Sequence, residues 1–350
     1  IAMQEAFRLN PFLSPYEFQS NSRLTPLPGK LQNQQGAFVI DKTSTYNPIL
    51  EINNTTNETR RWNGIGNFFF EYRPLDWLSV KTTYSANFDS RRKGEAWGAL
   101  TSVGANNNNL ASARINRTEN FNYTWDNQVN ANFDINEIHQ FNILALQSIY
   151  SSRTETGLQS SRNIPFDSGY HNIGSGSQST FNIASNYLKQ TLSSYALRVN
   201  YSLLDKYLLT VSVRADGSSL LSENNRWGYF PSAAVAWKIN NEEFLKGSKA
   251  VSELKLRASW GYTGNNIIDP YSTVNLLTEQ LFYDYAGTIA NGWISGRIAN
   301  PNLTWEKTRE FNVGLDFGFL RNRITGSVDV YDKLSDNLLM RQQLPFETGW

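Results

Sequence analysis

The chain has 350 residues, with 32 Lys and Arg against 31 Asp and Glu and a 13% share of aromatic residues. This balance excludes a strongly basic, nucleic-acid-binding chain, and the absence of cysteine excludes disulfides, thiolate metal sites and cysteine nucleophiles. No run of about 18 apolar residues is present, which excludes a transmembrane helix. The length suits two or three ordinary domains or one large β-barrel.

The first 63 residues show no strand pattern. Prolines interrupt this stretch at Pro11, Pro15, Pro26, Pro28 and Pro48. Proline removes a backbone donor and punctuates regular structure. We therefore expect residues 1–63 to be mainly a loop region.

Strand patterning begins at residue 64. Residues 64–73 and 77–88 alternate apolar and polar side chains, with Phe70 and Tyr84 among the apolar ones, and a short turn near 74–76 joins them. Successive side chains of a strand point to opposite faces. The pair is therefore predicted to be two strands, each with one apolar face.

The clearest alternation runs from Phe121 to Asp134. One parity carries Phe121, Tyr123, Trp125, Val129, Ala131 and Phe133, and the other carries Asn, Thr, Asp and Gln. At 14 residues this strand is well over the usual ~5–6 of soluble proteins. A long amphipathic strand with aromatic residues near its ends is typical of a membrane barrel with an aqueous interior.

Connections between the predicted strands alternate in length. Further strands are predicted at 139–152, 193–203, 207–215, 229–239, 253–262, 305–319 and 323–333. Short turns lie near 74–76, 135–138, 204–206 and 320–322, and long loops at 89–119, 153–192 and 263–304. Short turns on one side and long loops on the other predict an all-β fold, a transmembrane antiparallel up-and-down β-barrel with long extracellular loops.

Charged residues of these strands fall on the parity opposite the apolar set. They are Lys81, Asp126, Arg198, Arg214, Lys255, Arg257, Asp316 and Asp329. Arg or Lys facing lipid at mid-membrane costs ~2–4 kcal/mol, so this face is predicted to line a lumen. A large β-sandwich or propeller also alternates, but its strands are shorter and its loops do not sort by length. Aromatic girdles at the membrane interfaces are predicted to include Trp77, Trp227, Tyr229, Trp237, Trp260 and Trp305.

Three stretches resemble the SusC/RagA family of TonB-linked outer-membrane transporters. The first is Arg214-Ala-Asp-Gly-Ser-Ser219 with Asn225-Arg-Trp-Gly-Tyr-Phe-Pro-Ser232, the second is Leu254-Lys-Leu-Arg-Ala-Ser-Trp-Gly-Tyr-Thr-Gly-Asn265, and the third is Asn300-Pro-Asn-Leu-Thr-Trp-Glu-Lys307. Their order and spacing are similar to the family over about residues 200–340.

The resemblance implies an architecture and partners. It implies that residues 64–350 belong to a plugged barrel of about 22 strands in the bacterial outer membrane, with short periplasmic turns and with residues 1–63 mainly extracellular. A plug domain and a TonB box are absent from this chain, so we expect a fragment of a longer protein. Implied partners are a SusD-like surface lipoprotein, TonB through the missing N-terminal segment, and membrane lipid with lipopolysaccharide.

The resemblance also implies active import of a large nutrient, an oligosaccharide or a peptide. One alternative is a siderophore-type TonB-dependent receptor without a lid. An alternative of another class is a surface binding or assembly component without transport. A plug and TonB box in the full-length gene would favour transport. A neighbouring SusD-like gene would distinguish import with a lipoprotein lid from a siderophore-type receptor without one.

The residues for catalysis or for a cofactor are not present in a recognisable pattern. His139 and His171 are the only histidines, and their spacing matches no metal motif. We therefore predict that the protein is not an enzyme and holds no cofactor and no metal.

Two long loops carry the candidate ligand-binding residues. The loop at 263–304 holds Tyr271, Phe282, Tyr283, Tyr285 and Trp293, and the loop at 153–192 adds Tyr170 and His171. A neutral polar ligand such as a sugar is often held by aromatic faces and a few hydrogen bonds. In the alternative interpretation these aromatic side chains pack the loop on itself or onto a lid lipoprotein.

Overall fold

A computed structural model describes residues 16–18, 24–26 and 48–340, except residues 246, 249 and 297. Most of the predicted N-terminal loop region therefore lies outside the described residues. None of the helices in the described ranges is long and apolar enough to cross a membrane. The two short α-helices are α1 (Pro48–Asn53) and α2 (Ser102–Ala105).

Strands dominate the described residues. They are β1 (Tyr16–Phe18), β2 (Leu24–Pro26), β3 (Thr55–Leu75), β4 (Leu78–Trp97), β5 (Ala111–Ile135), β6 (His139–Ile164), β7 (Asn182–Leu203), β8 (Tyr207–Ser218), β9 (Trp227–Lys238), β10 (Val251–Asn265), β11 (Leu277–Tyr285), β12 (Thr288–Ser295), β13 (Glu306–Phe319) and β14 (Ile324–Asp336). All ten strands predicted from the alternation are present.

Ten strands form one sheet in the order β14-β13-β10-β9-β8-β7-β6-β5-β4-β3. Strands that follow one another in the chain are neighbours in this sheet, except that β11 and β12 form a separate hairpin between β10 and β13. β1 and β2 form another separate two-stranded sheet. Pairing is antiparallel from β7 to β14. Within the described ranges β3 and β14 each have a single neighbour, so the sheet is open.

Several strands run further than the alternation predicted. β4 continues to Trp97, β5 already begins at Ala111, and β6 continues to Ile164. The added segments carry polar residues on both faces, as in Arg114-Ile-Asn-Arg-Thr-Glu-Asn120. Backbone hydrogen bonds between strands do not require an apolar face, so the ladder continues where the side-chain pattern stops. The loops predicted at 89–119 and 153–192 are correspondingly shorter.

The short turns have a backbone conformation that suits a tight hairpin. Asn136 and Glu137 have φ of 56° and 59°, and Leu204 and Asp205 have φ of 56° and 52°. Two successive residues with positive φ form the type I′ turn, whose twist matches that of the flanking strands. These turns therefore join β5 to β6 and β7 to β8 through only three residues each.

The chain divides into two compact units. Among the described residues, unit 1 comprises those up to 64 together with 87–121 and 153–188, and its buried cluster contains Ala96, Ala111, Ala113, Ile164 and Tyr170. Unit 2 comprises residues 65–86, 122–152 and 189–350, and its buried cluster contains Leu221, Phe230 and Trp305. Both clusters are small, and many large apolar side chains of the long strands are exposed instead.

Candidate functional site

One face of the sheet in unit 2 is mainly apolar. Cross-strand register aligns Tyr201, Leu209, Val235, Ala258, Val313 and Val330 in one row. A second aligned row contains Leu203, Tyr207, Trp237, Leu256, Leu315 and Val328. Val235 is 52% exposed and Val330 is 70% exposed. Soluble monomers rarely expose so large an apolar area, whereas a membrane barrel needs one toward lipid.

The opposite face carries paired charges. Arg257 on β10 binds Asp316 at 3.2 Å and reaches Asp329 on β14 at 2.9 Å. Between them on β13 lies Gly314, where a Cβ atom would come within 2.5 Å of the Arg257 guanidinium carbon. Glycine at this position thus leaves room for an ion pair that bridges two strands. The predicted placement of these charges opposite the apolar set is confirmed.

Uncharged polar side chains extend this face across further strands. The Asn200 amide donates to Asn142 at 2.8 Å, and the Thr210 hydroxyl donates to Asn200 at 2.9 Å. The Asn142 amide in turn donates to Asn132. This row links β5, β6, β7 and β8 by side-chain hydrogen bonds. A hydrogen-bonded polar face suits the wall of an aqueous lumen.

Aromatic residues at the short-turn end are tied to one carboxylate. Glu242 accepts hydrogen bonds from the Tyr207 hydroxyl at 2.7 Å, the Trp237 Nε1 at 3.0 Å and the Lys206 ammonium at 2.9 Å. The bond from Tyr207, followed by those from Lys206 and Trp237, lowers the pKa of Glu242 to about 2. Tyr207 and Trp237 stack with ring centroids 6.3 Å apart. The polar tips and apolar bodies of these side chains fit a membrane interface.

The girdle prediction was wrong for Trp305. This side chain is 3% exposed. Its ring packs edge-on against that of Phe230, with the ring centroids 5.3 Å apart, and its Nε1 hydrogen is donated to the Arg226 carbonyl at 2.9 Å. It lies directly before β13, outside the alternating segment. Its position just before the strand was the signal in the sequence that could have distinguished it from the girdle residues.

Four of the predicted ligand-binding residues lie on the β11–β12 hairpin, whose two faces both expose aromatic rings. Tyr283 and Tyr285 pair with Ala290 and Thr288 and share one face. Phe282 pairs with position 291, two residues from Trp293, so Phe282 and Trp293 share the other face. Exposed fractions are 53% for Tyr283 and 72% for Tyr285, and 72% for Phe282 and 62% for Trp293. The hairpin therefore groups these residues as two pairs.

Tyr271 lies in the segment between β10 and β11 rather than on the hairpin. Its hydroxyl accepts a hydrogen bond from the Lys189 backbone nitrogen at 3.3 Å. Its φ of 64° places it in the left-handed region, which is uncommon for a bulky residue. Tyr271 thus ties this loop to the beginning of β7.

Tyr170 and His171 belong to unit 1. Tyr170 is 3% exposed, its hydroxyl donates to the Glu58 carboxylate, and the Arg92 guanidinium lies 5.5 Å from its ring. The hydrogen bond to Glu58 raises the pKa of Tyr170. His171 is exposed and stacks on Tyr170 with centroids 4.5 Å apart. Tyr170 therefore packs the loop, and only His171 of this pair presents an open face.

Residues 8–349 match the family model described as TonB dependent receptor-like, beta-barrel. The chain belongs to this family. The SusC/RagA resemblance is confirmed by TonB-dependent receptor SusC of Bacteroides thetaiotaomicron, 46% identical over 166 residues, which covers 46% of this chain and 16% of that protein. TonB-dependent receptor P26 of Formosa agariphila is 34% identical over 314 residues, 87% of this chain and 31% of that one.

Solved structures of the RagAB peptide transporter share the fold. A structure of the RagAB peptide transporter superposes with a TM-score of 0.80 at 22% identity, over 90% of this chain and 34% of that chain. The chain thus spans about a third of the length of P26 and of the RagAB chain. Its sheet is a segment of a transmembrane antiparallel β-barrel of the outer membrane.

Proposed function

We propose that this chain forms part of the barrel wall of a TonB-dependent importer that takes up an oligosaccharide or a peptide. The observation that carries the proposal is the two-faced sheet, apolar toward one side and lined with paired charges and amides on the other. The nutrient class follows the similarity to SusC and to the RagAB peptide transporter. Import, not catalysis, is the proposed activity.

The proposed arrangement places residues 64–350 in the membrane wall, the short turns in the periplasm, and residues 1–63 mainly outside. TonB acts through an N-terminal segment outside this chain, and lipid with lipopolysaccharide covers the apolar face. A SusD-like surface lipoprotein closes the extracellular mouth. These assignments rest on the family and on the difference in length between the turns and the loops.

The β11–β12 hairpin is the proposed contact with ligand and lid. A two-stranded hairpin is marginally stable alone in water, and this one exposes aromatic rings on both faces. We infer that one face packs on the lipoprotein and the other meets the nutrient. Aromatic faces bind sugars and peptide side chains without requiring charge.

Deletion of the full-length gene tests the proposed import. Deletion and complemented strains would be grown on mixed malto-oligosaccharides or on a tryptic peptide digest as the sole carbon source. Loss of growth on one of the two, restored by the intact gene but not by a gene without its TonB box, is the expected result. Unchanged growth on both would contradict the proposal and favour one of the two alternatives, a siderophore-type receptor or a surface component without transport.

A further inference from the structure

The apolar face of unit 2 is interrupted by one row of polar side chains. Thr82 on β4 shares its parity with Val80 and Tyr84, and Asn127 on β5 shares its parity with Trp125 and Val129. All four of these apolar neighbours are at least 40% exposed. The polar row therefore faces the same side as the surface assigned to lipid.

The row is a chain of hydrogen bonds across three strands. Trp125 Nε1 donates to Thr82 Oγ1 at 2.9 Å, and Thr82 Oγ1 donates to Asn127 Oδ1 at 2.8 Å. Asn127 Nδ2 donates to Gln147 Oε1 on β6 at 2.7 Å. Gln147 is the last side chain of this hydrogen-bonded row among the described residues. An amide that faces lipid without an acceptor is costly, so a polar occupant at this position would stabilise it.

A groove lies beside the row. Asn127 and Gln147 line it together with Ala145, Leu197, Val213 and Ala215, and its volume is about 610 Å³. Leu197 and Val213 lie opposite each other on β7 and β8 and are 45% and 44% exposed. The groove is thus apolar along its length and polar at one edge.

The depth of the groove matches one zone of the membrane. Asn127 lies eight residues before Ile135, where β5 ends at the short turn, and Gln147 lies eight residues after His139, where β6 begins. At ~3.3 Å per residue this is about 26 Å along the strand, and strand tilt shortens it to about 20 Å of depth. The row therefore lies near the far edge of the ~25 Å apolar band, where acyl chains join their carbonyl groups.

We propose that this groove holds an acyl chain of an outer-leaflet glycolipid of the lipid A type, with one of its ester or amide carbonyls accepting the hydrogen bond from Gln147 Nε2. The apolar walls suit the chain, and the polar edge suits the carbonyl. The assignment to the outer leaflet rests on the proposed orientation, with the short turns in the periplasm. It does not depend on which nutrient is imported.

Lipid carried through purification tests the proposal. Full-length protein would be extracted from outer membranes in mild detergent, and lipid A and phospholipid per barrel would be measured by mass spectrometry. The groove would be filled by Ala215→Phe, and its donor removed by Gln147→Leu. The control is Ala233→Phe, which adds the same bulk on the same face at a position outside the groove, opposite Val211. Heat-modifiable gel mobility would verify that every variant is assembled.

The expected result is a loss of about fivefold or more in lipid A per barrel for Ala215→Phe and for Gln147→Leu, with Ala233→Phe unchanged. Equal lipid A in all four proteins would overturn the proposal. So would loss of phospholipid in place of lipid A, which would place the groove in the other leaflet. A shift from dimer to monomer with unchanged lipid A would assign the groove to a second copy of the protein. Growth on the imported nutrient, measured in parallel, separates failure of this proposal from failure of the import function.

Discussion

At the scale of single residues, parity along a strand decides which solvent each side chain meets. Val211 and Ser212 are adjacent on β8, yet Val211 is 47% exposed on the apolar face and Ser212 pairs with the Ser232 hydroxyl at 2.7 Å on the other. Val211 lies four residues from Tyr207 and from Ala215, near the middle of the apolar band. One step along the chain thus exchanges lipid for the lumen.

We predict that Val211→Arg destabilises the barrel and Ser212→Arg does not. An arginine at the bilayer midplane costs ~2–4 kcal/mol, whereas one in an aqueous lumen is solvated. Urea unfolding in liposomes and heat-modifiable mobility would measure both variants. Equal tolerance at the two positions would argue for a sheet with water on both sides.

Glu242 sets a second prediction at this scale. Its folded-state pKa of about 2 lies below the ordinary 4.5, so its contribution to stability is present above pH 4.5 and is lost as the pH falls toward 2. The urea midpoint of the wild-type protein should therefore fall between pH 4.5 and 2, and Glu242→Gln should flatten that fall. Glu223→Gln, at an exposed carboxylate in the connection between β8 and β9, is the control. An identical pH profile for Glu242→Gln and wild type would refute the assigned role.

At the scale of secondary-structure elements, the β11–β12 hairpin is the feature that alternation alone did not reveal. Its strands β11 and β12 have nine and eight residues, and the turn between them contains Ala286 and Gly287, which both have positive φ. A bulge between Glu279 and Leu281 shifts its register. The hairpin divides a single aromatic-rich loop into two distinct aromatic faces.

This division changes how the ligand residues should be tested. Combining Trp293→Ala with Tyr283→Ala removes one ring from each face and cannot separate ligand from lid. We instead pair Phe282→Ala with Trp293→Ala, and Tyr283→Ala with Tyr285→Ala. One pair should lower nutrient uptake about tenfold, a loss of ~1.4 kcal/mol of binding, and the other should release the lipoprotein from pull-downs.

Normal uptake and normal pull-down with either pair removed would take the hairpin out of both interfaces. Assembly, followed by heat-modifiable mobility, should be unchanged in both double variants because the hairpin forms its own two-stranded sheet. Ile298→Ala, an exposed apolar residue between β12 and β13, is a matched control.

At the scale of the whole molecule, the sorting of turns and loops defines two sides. The turns after β5, β7 and β13 are built from positive-φ pairs or triplets, including Leu320, Arg321 and Asn322. The connections on the other side carry α2, the 3-10 turns near residues 173–180 and the hairpin. Because consecutive strands alternate in direction, the four connections of two to four residues, after β3, β5, β7 and β13, all lie on one side.

We predict that the short-turn side is periplasmic. The chain has no cysteine, so single cysteines report cleanly. Cysteine at Asn107 or Ser175 should react with an impermeant thiol reagent on intact cells, and cysteine at Asn136 or Asp205 should react only after lysis. The reverse labelling pattern would invert the proposed orientation and, with it, the leaflet assigned to the lipid groove.

The sequence alone determined the strands of the barrel wall and the two faces of each strand. The period of two places Leu209, Val211 and Val213 on one face and Arg257 and Asp329 on the other, because strand geometry fixes which side chains share a face. The ten strands, the short turns and the family resemblance follow from local patterns of this kind. These features need no knowledge of which strands are neighbours.

The tertiary structure decided what depends on neighbours. Strand ends that are polar on both faces, such as 114–120, carry no periodic signal and become strands only by pairing. Burial of Trp305 and Tyr170 requires partners far away in sequence, Phe230 for the first and Glu58 for the second. The separation of Trp293 from Tyr283 and the polar row on the apolar face depend on register. Register is set by turn geometry and by which apolar faces can be buried together, and a one-residue slip would exchange every face.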